Sequence, residues 1–399
     1  MQQSERVIIF DTTLRDGQQG AGTKVDAAGK IKIATQLDRI GVDIIEAGFP
    51  IASQGEHNTV LTIARMVKNA KVCALARSNQ ADIDAAVSAL ASLPEKRKRV
   101  HVFIATDAAH MSCKLQLTPS EVLARVSQYV AYAKQFVADI QFSPEVAVTT
   151  DMDFLFAVID AAIEAGATTI NIPDTKGYAM TDEYQDLIAA VVAHVGTRYQ
   201  DVVVSVHCHD DHGLATANSL CGVRAGARQV ECTINGVGER AGNTSLEEVV
   251  MALTVRSDRF GLVHGVDTTK LVELSRLVEY EYGIVVPPNK AFVGNNAFAH
   301  ESGIHQAGVL KGANLYEICA PELVGATRRL PIGKLSGKAG LQAALVALGY
   351  DSVSSIDIRK IYEQVMRIAD SNRIGSFSED ELRTAVQTVI GTVSSNVAM

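Results

Sequence analysis

The chain has 399 residues and a formal net charge of −8, so it is long enough for more than one domain, and its acidic balance argues against nucleic acid as a partner. Hydrophobic residues make up 47% and charged residues 21%, as in ordinary globular enzymes, and no apolar run approaches the roughly 20 residues that a membrane span needs. The six cysteines show no paired spacing and no secretory signal precedes the first apolar run, which predicts a cytoplasmic protein with reduced thiols.

From residue 7 to about residue 256 one pattern repeats: a short β-branched run, a polar loop and an amphipathic helix. The predicted strands are 7–14, 43–49, 71–76, 100–106, 139–143, 168–173, 202–209 and 229–234. The predicted helices are 27–40, 56–68, 80–90, 119–136, 151–165, 182–195, 214–225 and 245–254. Eight βα units in this length predict an α/β fold of the (β/α)₈ TIM barrel type, with a doubly wound sheet as the alternative.

After residue 256 the pattern changes. A predicted helix at 268–282 leads into a proline-containing linker, and three amphipathic helices follow at 341–348, 356–368 and 378–390. We therefore predict a catalytic barrel over 1–257, a linker or subdomain over 258–339 and a small helical subdomain over 340–399. The last residues, 394–399, are expected to be disordered.

Two histidines at the end of the seventh predicted strand suggest a metal site. Because strand side chains alternate, His207 and His209 point to the same face. Asp16 follows the first strand, which a closed barrel places near the seventh and eighth strands. One carboxylate and two imidazoles can hold Mg²⁺, Mn²⁺, Co²⁺ or Zn²⁺, and the pattern does not decide among these ions. Asn243, after the eighth strand, could add a carbonyl ligand or hold a metal-bound water.

Arg15 lies beside Asp16 in the sequence. A guanidinium next to a metal suits a carbonyl oxygen that becomes an alkoxide, because both would stabilise the developing charge. A simple salt bridge at the barrel mouth is the alternative.

Rows of inward-facing polar residues on the central strands are typical of a binding site. The rows are Gln141, Ser143 and Glu145 on the fifth strand and Asn171, Pro173 and Thr175 on the sixth. His101 on the fourth strand either joins them or is a buried core histidine.

Five segments resemble the 2-isopropylmalate synthase and homocitrate synthase family, within the barrel metalloenzymes that also include hydroxymethylglutaryl-CoA lyase. They are DTTLRDG at 11–17, HCHDD at 207–211, GVGERAGN at 236–243, AHESGIHQ at 299–306 and GKLSG at 333–337. The last two match a C-terminal annex that the lyases lack. EAGFP at 46–50 and ALAR at 74–77 resemble the isopropylmalate synthase branch in particular.

The resemblance implies roles for most of these residues. The implied metal ligands are Asp16, His207 and His209, with Asn243 adjacent. The implied contacts to the 2-oxo acid are His101, Ser143, Pro173 and Thr175. Arg15 would polarise the keto group, and His305 together with Glu145 would deprotonate acetyl-CoA. In the family the annex histidine reaches the barrel mouth of the other subunit, which implies a homodimer with sites completed in trans.

The implied reaction is a Claisen-type condensation of acetyl-CoA with a 2-oxo acid, followed by thioester hydrolysis, with 2-oxoisovalerate as the default substrate. Departures from the family pattern at Gln18, Lys176 and His212 make the site more polar or cationic. If Lys176 and His212 bind substrate, together with Gln141, an anionic 2-oxo acid such as 3-phosphonopyruvate is the leading alternative.

Three other interpretations are weaker. Homocitrate synthase is less favoured, because that activity resembles an arginine on the fifth strand where this chain has Gln141. The C-terminal annex disfavours a lyase. The intact motifs disfavour a non-catalytic binding barrel. The regulatory domain that gives leucine feedback in isopropylmalate synthases has no counterpart here. This leaves open whether the sequence is truncated or the enzyme is not regulated in that way.

Overall fold

The structure is a computed structural model that describes residues 5–351, 353–371 and 375–396, with the backbone alone described from 390 onward. The chain divides into two compact units, Met1–Val286 and Pro287–Met399. Helix Leu271–Tyr282 therefore belongs to the first unit. The predicted boundaries after residues 257 and 339 remain predictions.

Eight parallel strands close into a barrel in the first unit, which confirms the predicted TIM barrel over the open sheet. In chain order the strands are β1 Ile8–Asp11, β2 Ile44–Gly48, β3 Lys71–Arg77, β4 Lys98–Ala105, β5 Ile140–Glu145, β6 Thr169–Asp174, β7 Val203–Cys208 and β8 Gln229–Cys232. Each strand pairs with the next, and β8 pairs with β1 to complete the ring. The carboxyl ends of β1, β7 and β8 are therefore neighbours.

One principal helix follows each strand, as predicted. These helices are α1 Ala27–Arg39, α2 Gln54–Met66, α3 Gln80–Ala89, α4 Pro119–Lys134, α5 Met152–Glu164, α6 Thr181–Arg198, α7 Ala215–Arg224 and α8 Leu246–Val255. Helix α4 begins with a reciprocal capping pair between Thr118 and Glu121, which satisfies two backbone donors that the first turn leaves unpaired. Two further helices, α9 Ser257–Phe260 and α10 Leu271–Tyr282, also belong to the unit, together with a parallel pair of short strands, Glu5–Arg6 and Leu262–Val263.

Side-chain alternation divides each strand between the barrel interior and the surrounding helices. On β5, the apolar Ile140 and Phe142 are fully buried on one face, and Gln141 and Ser143 are buried on the other. TIM barrel interiors are usually filled by branched apolar residues. Here part of the interior is polar instead, alongside a small apolar cluster of Phe10, Ile44 and Cys73. The polar part places hydrogen-bonding groups directly beneath the carboxyl ends of the strands.

In its described residues the second unit has four α-helices, α11 Gly303–Lys311, α12 Lys338–Ala347, α13 Ser355–Ser371 and α14 Glu379–Asn396. A core that includes Leu341, Ile361 and Val386 joins the last three, so the predicted amphipathic helices are confirmed. The expected disorder of 394–399 is wrong for 394–396, which are helical, and 397–399 lie outside the described residues. Among the described helices none is both long and apolar enough to cross a bilayer.

Candidate active site

A cavity of about 280 Å³ opens at the carboxyl ends of the barrel strands. Nine of the residues singled out in the sequence as site residues line it: Arg15, Asp16, His101, Ser143, Glu145, Pro173, Thr175, His207 and His209. The barrel therefore brings together polar groups that lie as much as 194 residues apart in the chain.

Asp16, His207 and His209 form a buried cluster with the composition of a metal site. Oδ2 of Asp16 lies 3.8 Å from Nε2 of His207 and 3.7 Å from Nε2 of His209. Donor atoms that share one ion lie at most about twice a bond length of about 2.1 Å apart. The spacing and the mixed nitrogen and oxygen donors both fit a divalent metal.

Asn243 packs directly against this cluster. Its Nδ2 donates to Oδ1 of Asp16 over 3.1 Å and to the carbonyl of Val237, while its buried Oδ1 has no hydrogen-bond partner among the described residues. Gly238 makes the approach possible, because a Cβ there would lie 2.1 Å from Nδ2 of Asn243. An unpaired buried acceptor beside the three ligands also fits a bound cation or its water.

The charges of Asp16 and His209 suit metal binding, whereas at His207 burial tends to lower the pKa but Glu231 and Asp16 raise it above the ordinary value. Burial tends to raise the pKa of Asp16, but Arg15, His209 and His207 hold it well below its ordinary value. Burial and the neighbouring His207 lower the pKa of His209 to about 4. At neutral pH Asp16 is therefore ionised and His209 is neutral, which are the protonation states that a metal requires of these ligands.

Glu46 on β2 organises the neighbouring part of the cavity. Its Oε2 accepts from Nε of Arg15 over 2.6 Å, and its Oε1 lies 2.7 Å from Nδ1 of His101. Nε2 of His101 lies in turn 2.7 Å from Oγ of Ser143. Arg15 also donates to Asp16, so its guanidinium is held beside the ligand cluster by two carboxylates. The salt bridge that the sequence offered as the alternative for Arg15 is therefore present, and the catalytic role of Arg15 remains a prediction.

Glu145 lies at the end of β5 on the opposite side of the cavity. Nζ of Lys114 lies 3.0 and 3.2 Å from its two carboxylate oxygens. Lys114 belongs to a π-helical segment, His110–Leu115, and such segments occur often at functional sites. The ion pair gives this carboxylate a defined orientation at the cavity wall.

The remaining predicted site residues lie elsewhere. Gln141 is buried beneath the cavity, and the exposed Lys176 and His212 are not among the residues that line it. His305 is exposed on α11 of the second unit, with its ring 4.3 Å from that of Tyr316. Their functional assignments remain predictions.

Sequence reasoning missed Glu46 and Glu231 as members of the site. Both are almost completely buried, Glu46 on an otherwise apolar strand and Glu231 on a strand whose other polar residue is Gln229. Glu231 lies 2.9 Å from Nδ1 of His207, measured from its Oε2. A lone acidic residue at an inward position of a barrel strand must find a partner, and this rule could have identified both residues.

The fold and this site define a class of protein. Residues 6–278 match the HMGL-like family, and residues 292–373 match the homocitrate synthase post-HMGL domain-like family. The chain belongs to the HMGL-like family of TIM barrels. Among solved structures, a hydroxymethylglutaryl-CoA lyase from Pseudomonas aeruginosa shares this fold, with 22% identity, a TM-score of 0.59 and coverage of 72% of this chain and 96% of the lyase.

Curated relatives with much higher identity are 2-isopropylmalate synthases. The enzyme of Cupriavidus necator is 49% identical over 379 residues, which cover 94% of this chain and 73% of the relative. The enzyme of Neisseria meningitidis serogroup B is 47% identical over 99% of this chain and 75% of its own length. The enzyme of Aquifex aeolicus is 50% identical, with 92% and 71% covered.

Proposed function

We propose that this chain condenses acetyl-CoA with 2-oxoisovalerate and hydrolyses the thioester, giving 2-isopropylmalate and CoA. It is then an acyltransferase whose acetyl group becomes an alkyl substituent of the product, in leucine biosynthesis. The observation that carries the proposal is identity of 47–50% to 2-isopropylmalate synthases over more than nine tenths of the chain.

Asp16, His207 and His209 would hold the metal, with Asn243 adjacent. A divalent metal bound there would supply Lewis-acid polarisation of the keto group of the 2-oxo acid. Arg15 places a permanent positive charge beside Asp16 and stabilises the same oxygen as it becomes an alkoxide. Because Glu46 and Asp16 already orient the guanidinium, little reorganisation accompanies the reaction.

His101, Ser143, Pro173 and Thr175 would contact the 2-oxo acid. Ser143 is well prepared for this, because its hydroxyl lies between His101 and Nδ2 of Asn171, which donates over 2.9 Å. The apolar Leu75 and Phe103 also line the cavity. An isopropyl group suits such a wall, since an apolar surface stabilises an apolar substituent by removing it from water.

Glu145 and His305 would deprotonate acetyl-CoA. One of these bases takes a proton from the acetyl methyl carbon, and the resulting enolate carbon forms the new bond to the keto carbon. The keto C=O π bond breaks as this bond forms, and the alkoxide takes up a proton to become the hydroxyl of the product. A water then adds to the thioester carbonyl, the C–S bond breaks, and the thiolate of CoA takes up a proton. His305 would reach the barrel mouth of a second copy of the chain, so the active assembly is a homodimer.

The alternatives are not favoured by the comparisons, and the positions of Lys176 and His212 do not favour an anionic substrate. The test is release of CoA thiol from acetyl-CoA with 2-oxoisovalerate, 2-oxoglutarate, oxaloacetate and 3-phosphonopyruvate in parallel, with the organic product identified by mass spectrometry. We expect the highest kcat/KM with 2-oxoisovalerate. A higher kcat/KM for a dianionic 2-oxo acid would contradict the substrate assignment, and no thiol release with any of them would contradict the enzyme class.

A further inference from the structure

A chain of polar contacts descends from the candidate metal site through the interior of the barrel. Glu231 lies beside His207, Nε2 of Gln141 donates to Oε1 of Glu231 over 2.5 Å, and Oε1 of Gln141 accepts from Nη1 of Arg99 over 3.1 Å. Arg99 is held at the lower end by two hydrogen bonds to Asp139. All of these groups except Asp139 are at least 95% buried.

The lower end of this chain fixes the direction of its hydrogen bonds. An arginine guanidinium can donate but cannot accept. Gln141 must therefore present its oxygen to Arg99, and the same oxygen also accepts from Nε2 of Gln229 over 2.8 Å. With its oxygen occupied twice, Gln141 has only its amide nitrogen to offer upward.

The same hydrogen-bond direction determines which oxygen of Glu231 is available to His207 at the upper end of the chain of contacts. The Gln141 amide occupies Oε1 of Glu231, so the oxygen nearest Nδ1 of His207 is Oε2 of Glu231, at 2.9 Å. The ring N–H is not aligned on that oxygen, and neither atom makes a hydrogen bond among the described residues, so the contact acts through the charge of the carboxylate, which favours a proton on Nδ1. A neutral histidine with its proton on Nδ1 carries its lone pair on Nε2. Nε2 is the atom that faces Asp16.

We infer that Gln141 and Glu231 are positioning residues that hold His207 in the tautomer whose Nε2 can bind the metal, with Arg99 setting the direction. Gln141 then acts through Glu231 and not by touching substrate. The inference deepens the proposed function, because it rests on the metal assignment of His207. Partners of metal-bound histidines in general orient the ring and select its tautomer, and their loss weakens metal binding about 10- to 100-fold.

Exchanging the side chains of Gln141 and Glu231 distinguishes control of the His207 tautomer from a purely structural role. In Glu231→Gln, the amide of Gln141 still donates upward, so the new glutamine turns its own amide nitrogen toward Nδ1 of His207. That nitrogen forces the proton onto Nε2 and blocks the ligand. In the double variant Gln141→Glu/Glu231→Gln, the carboxylate at 141 accepts from both sides, and the glutamine at 231 again presents its oxygen to His207.

Two measurements follow this exchange. Selective ¹⁵N-histidine labelling of the metal-free protein at alkaline pH reports which ring nitrogen of His207 carries the proton, and titration with Mn²⁺ gives the dissociation constant. We expect Glu231→Gln to change the tautomer and to weaken Mn²⁺ binding about 10- to 100-fold. The double variant should restore the parent tautomer and recover about tenfold of the affinity.

Controls keep the outcomes distinct. Thr169 is paired in register with Gln141 in the same layer, and its hydroxyl has no hydrogen-bond partner among the described residues, so Thr169→Val should leave both measurements unchanged. His207→Ala should abolish tight Mn²⁺ binding; if it does not, the metal assignment itself fails. If His207→Ala loses Mn²⁺ while a folded Glu231→Gln keeps the parent tautomer and affinity, the positioning role is overturned. If Glu231→Gln does not fold, the double variant decides: a proton on Nδ1 of His207 supports the positioning role, and a proton on Nε2 overturns it.

Discussion

The candidate catalytic and metal-binding histidines of the two units stand in opposite environments. In the barrel, His101, His207 and His209 are each at most 5% exposed, and a carboxylate oxygen lies within 4 Å of a ring nitrogen of each. In the second unit, His305 lies on an exposed helix face beside Ile304, whose side chain is 76% exposed. Its described contacts are to the rings of Tyr316 and His300.

This contrast shows two ways in which a protein can orient a catalytic histidine. The barrel surrounds these three histidines with fixed charges, so their orientation is set before substrate arrives. The second unit leaves His305 facing solvent, and an exposed imidazole gains a defined partner only when another surface covers it. The difference fits a barrel that binds metal by itself and a second unit that contributes to catalysis after assembly.

The largest expected effect is at the metal ligands. His207→Ala should lower kcat/KM for condensation at least about a thousandfold, because several kcal/mol of charge stabilisation are lost with the metal. Thiol release and bound metal would be measured together. His194→Ala, a change on the outer helix α6, is the matched histidine control and should keep both. Full activity in metal-free His207→Ala would refute the claim that the barrel histidines bind a metal that the reaction needs.

The next effect tests the exposed histidine. Arg15→Ala and His305→Ala should each be nearly inactive, but equal mixtures should recover about a quarter of parent activity. Random exchange makes half of the dimers mixed, and one of the two sites in each mixed dimer has both residues intact. Activity would be assayed after subunit exchange is confirmed by native mass spectrometry. No recovery would mean that His305 does not act in trans.

A smaller effect should appear in stability against pH. Burial raises the pKa of Asp11, on β1, to about 7, although hydrogen bonds from Thr13 oppose the shift. The folded state thus binds a proton that the unfolded state releases near the ordinary value of 3.8. The stabilisation is complete below that value and is lost as the pH rises through about 7, by up to about 4 kcal/mol.

Asp11→Asn removes this dependence. Relative to the variant, the parent should therefore lose stability between about pH 4 and about pH 7. Chemical denaturation with a chelator present measures the difference without a contribution from metal. Thr169→Val serves as the control without an ionisable group. Parallel stability curves for the parent and Asp11→Asn would show that the buried carboxyl does not hold its proton.

The smallest effect is expected at Lys176. Because its side chain is exposed and does not line the cavity, Lys176→Val should change the kcat/KM ratio of 2-oxoisovalerate to 3-phosphonopyruvate by no more than about twofold, in line with the usual effect of surface changes. The ratio would be measured by thiol release in both proteins. A shift of tenfold or more would place Lys176 in the substrate site after all.

Much of the fold was predictable because each βα unit carries its own signal. The period of two in the strands, the 3.6-residue period in the helices and the eightfold repetition together predicted the barrel. A closed barrel places the first strand beside the eighth and near the seventh, and this brings Asp16 close to His207 and His209. The sequence could not give the contacts of Glu46 and Glu231, since these depend on which interior side chains share a layer.

Gln141 shows a different limit. Alternation along β5 predicted its face correctly but not its depth. With a rise of about 3.3 Å per residue, Gln141 lies about 7 Å below Ser143, under the floor of the cavity and not on its wall. Lys176 and His212 follow strands in the sequence, but alternation no longer fixes side-chain direction in a loop, and these side chains point into solvent.

The polar interior of the barrel also limits how this sequence can change over evolutionary time. A substitution of Gln141 by leucine leaves Oε1 of Glu231 buried without its donor, at a cost of about 1–3 kcal/mol, and takes one of two acceptors from Nη1 of Arg99, which keeps Gln229. Neighbours in one network are strongly non-additive, so a change that is harmful alone becomes acceptable beside the right second change. Variation at these positions should therefore occur in linked pairs, and a library that randomises them one at a time would miss the functional combinations.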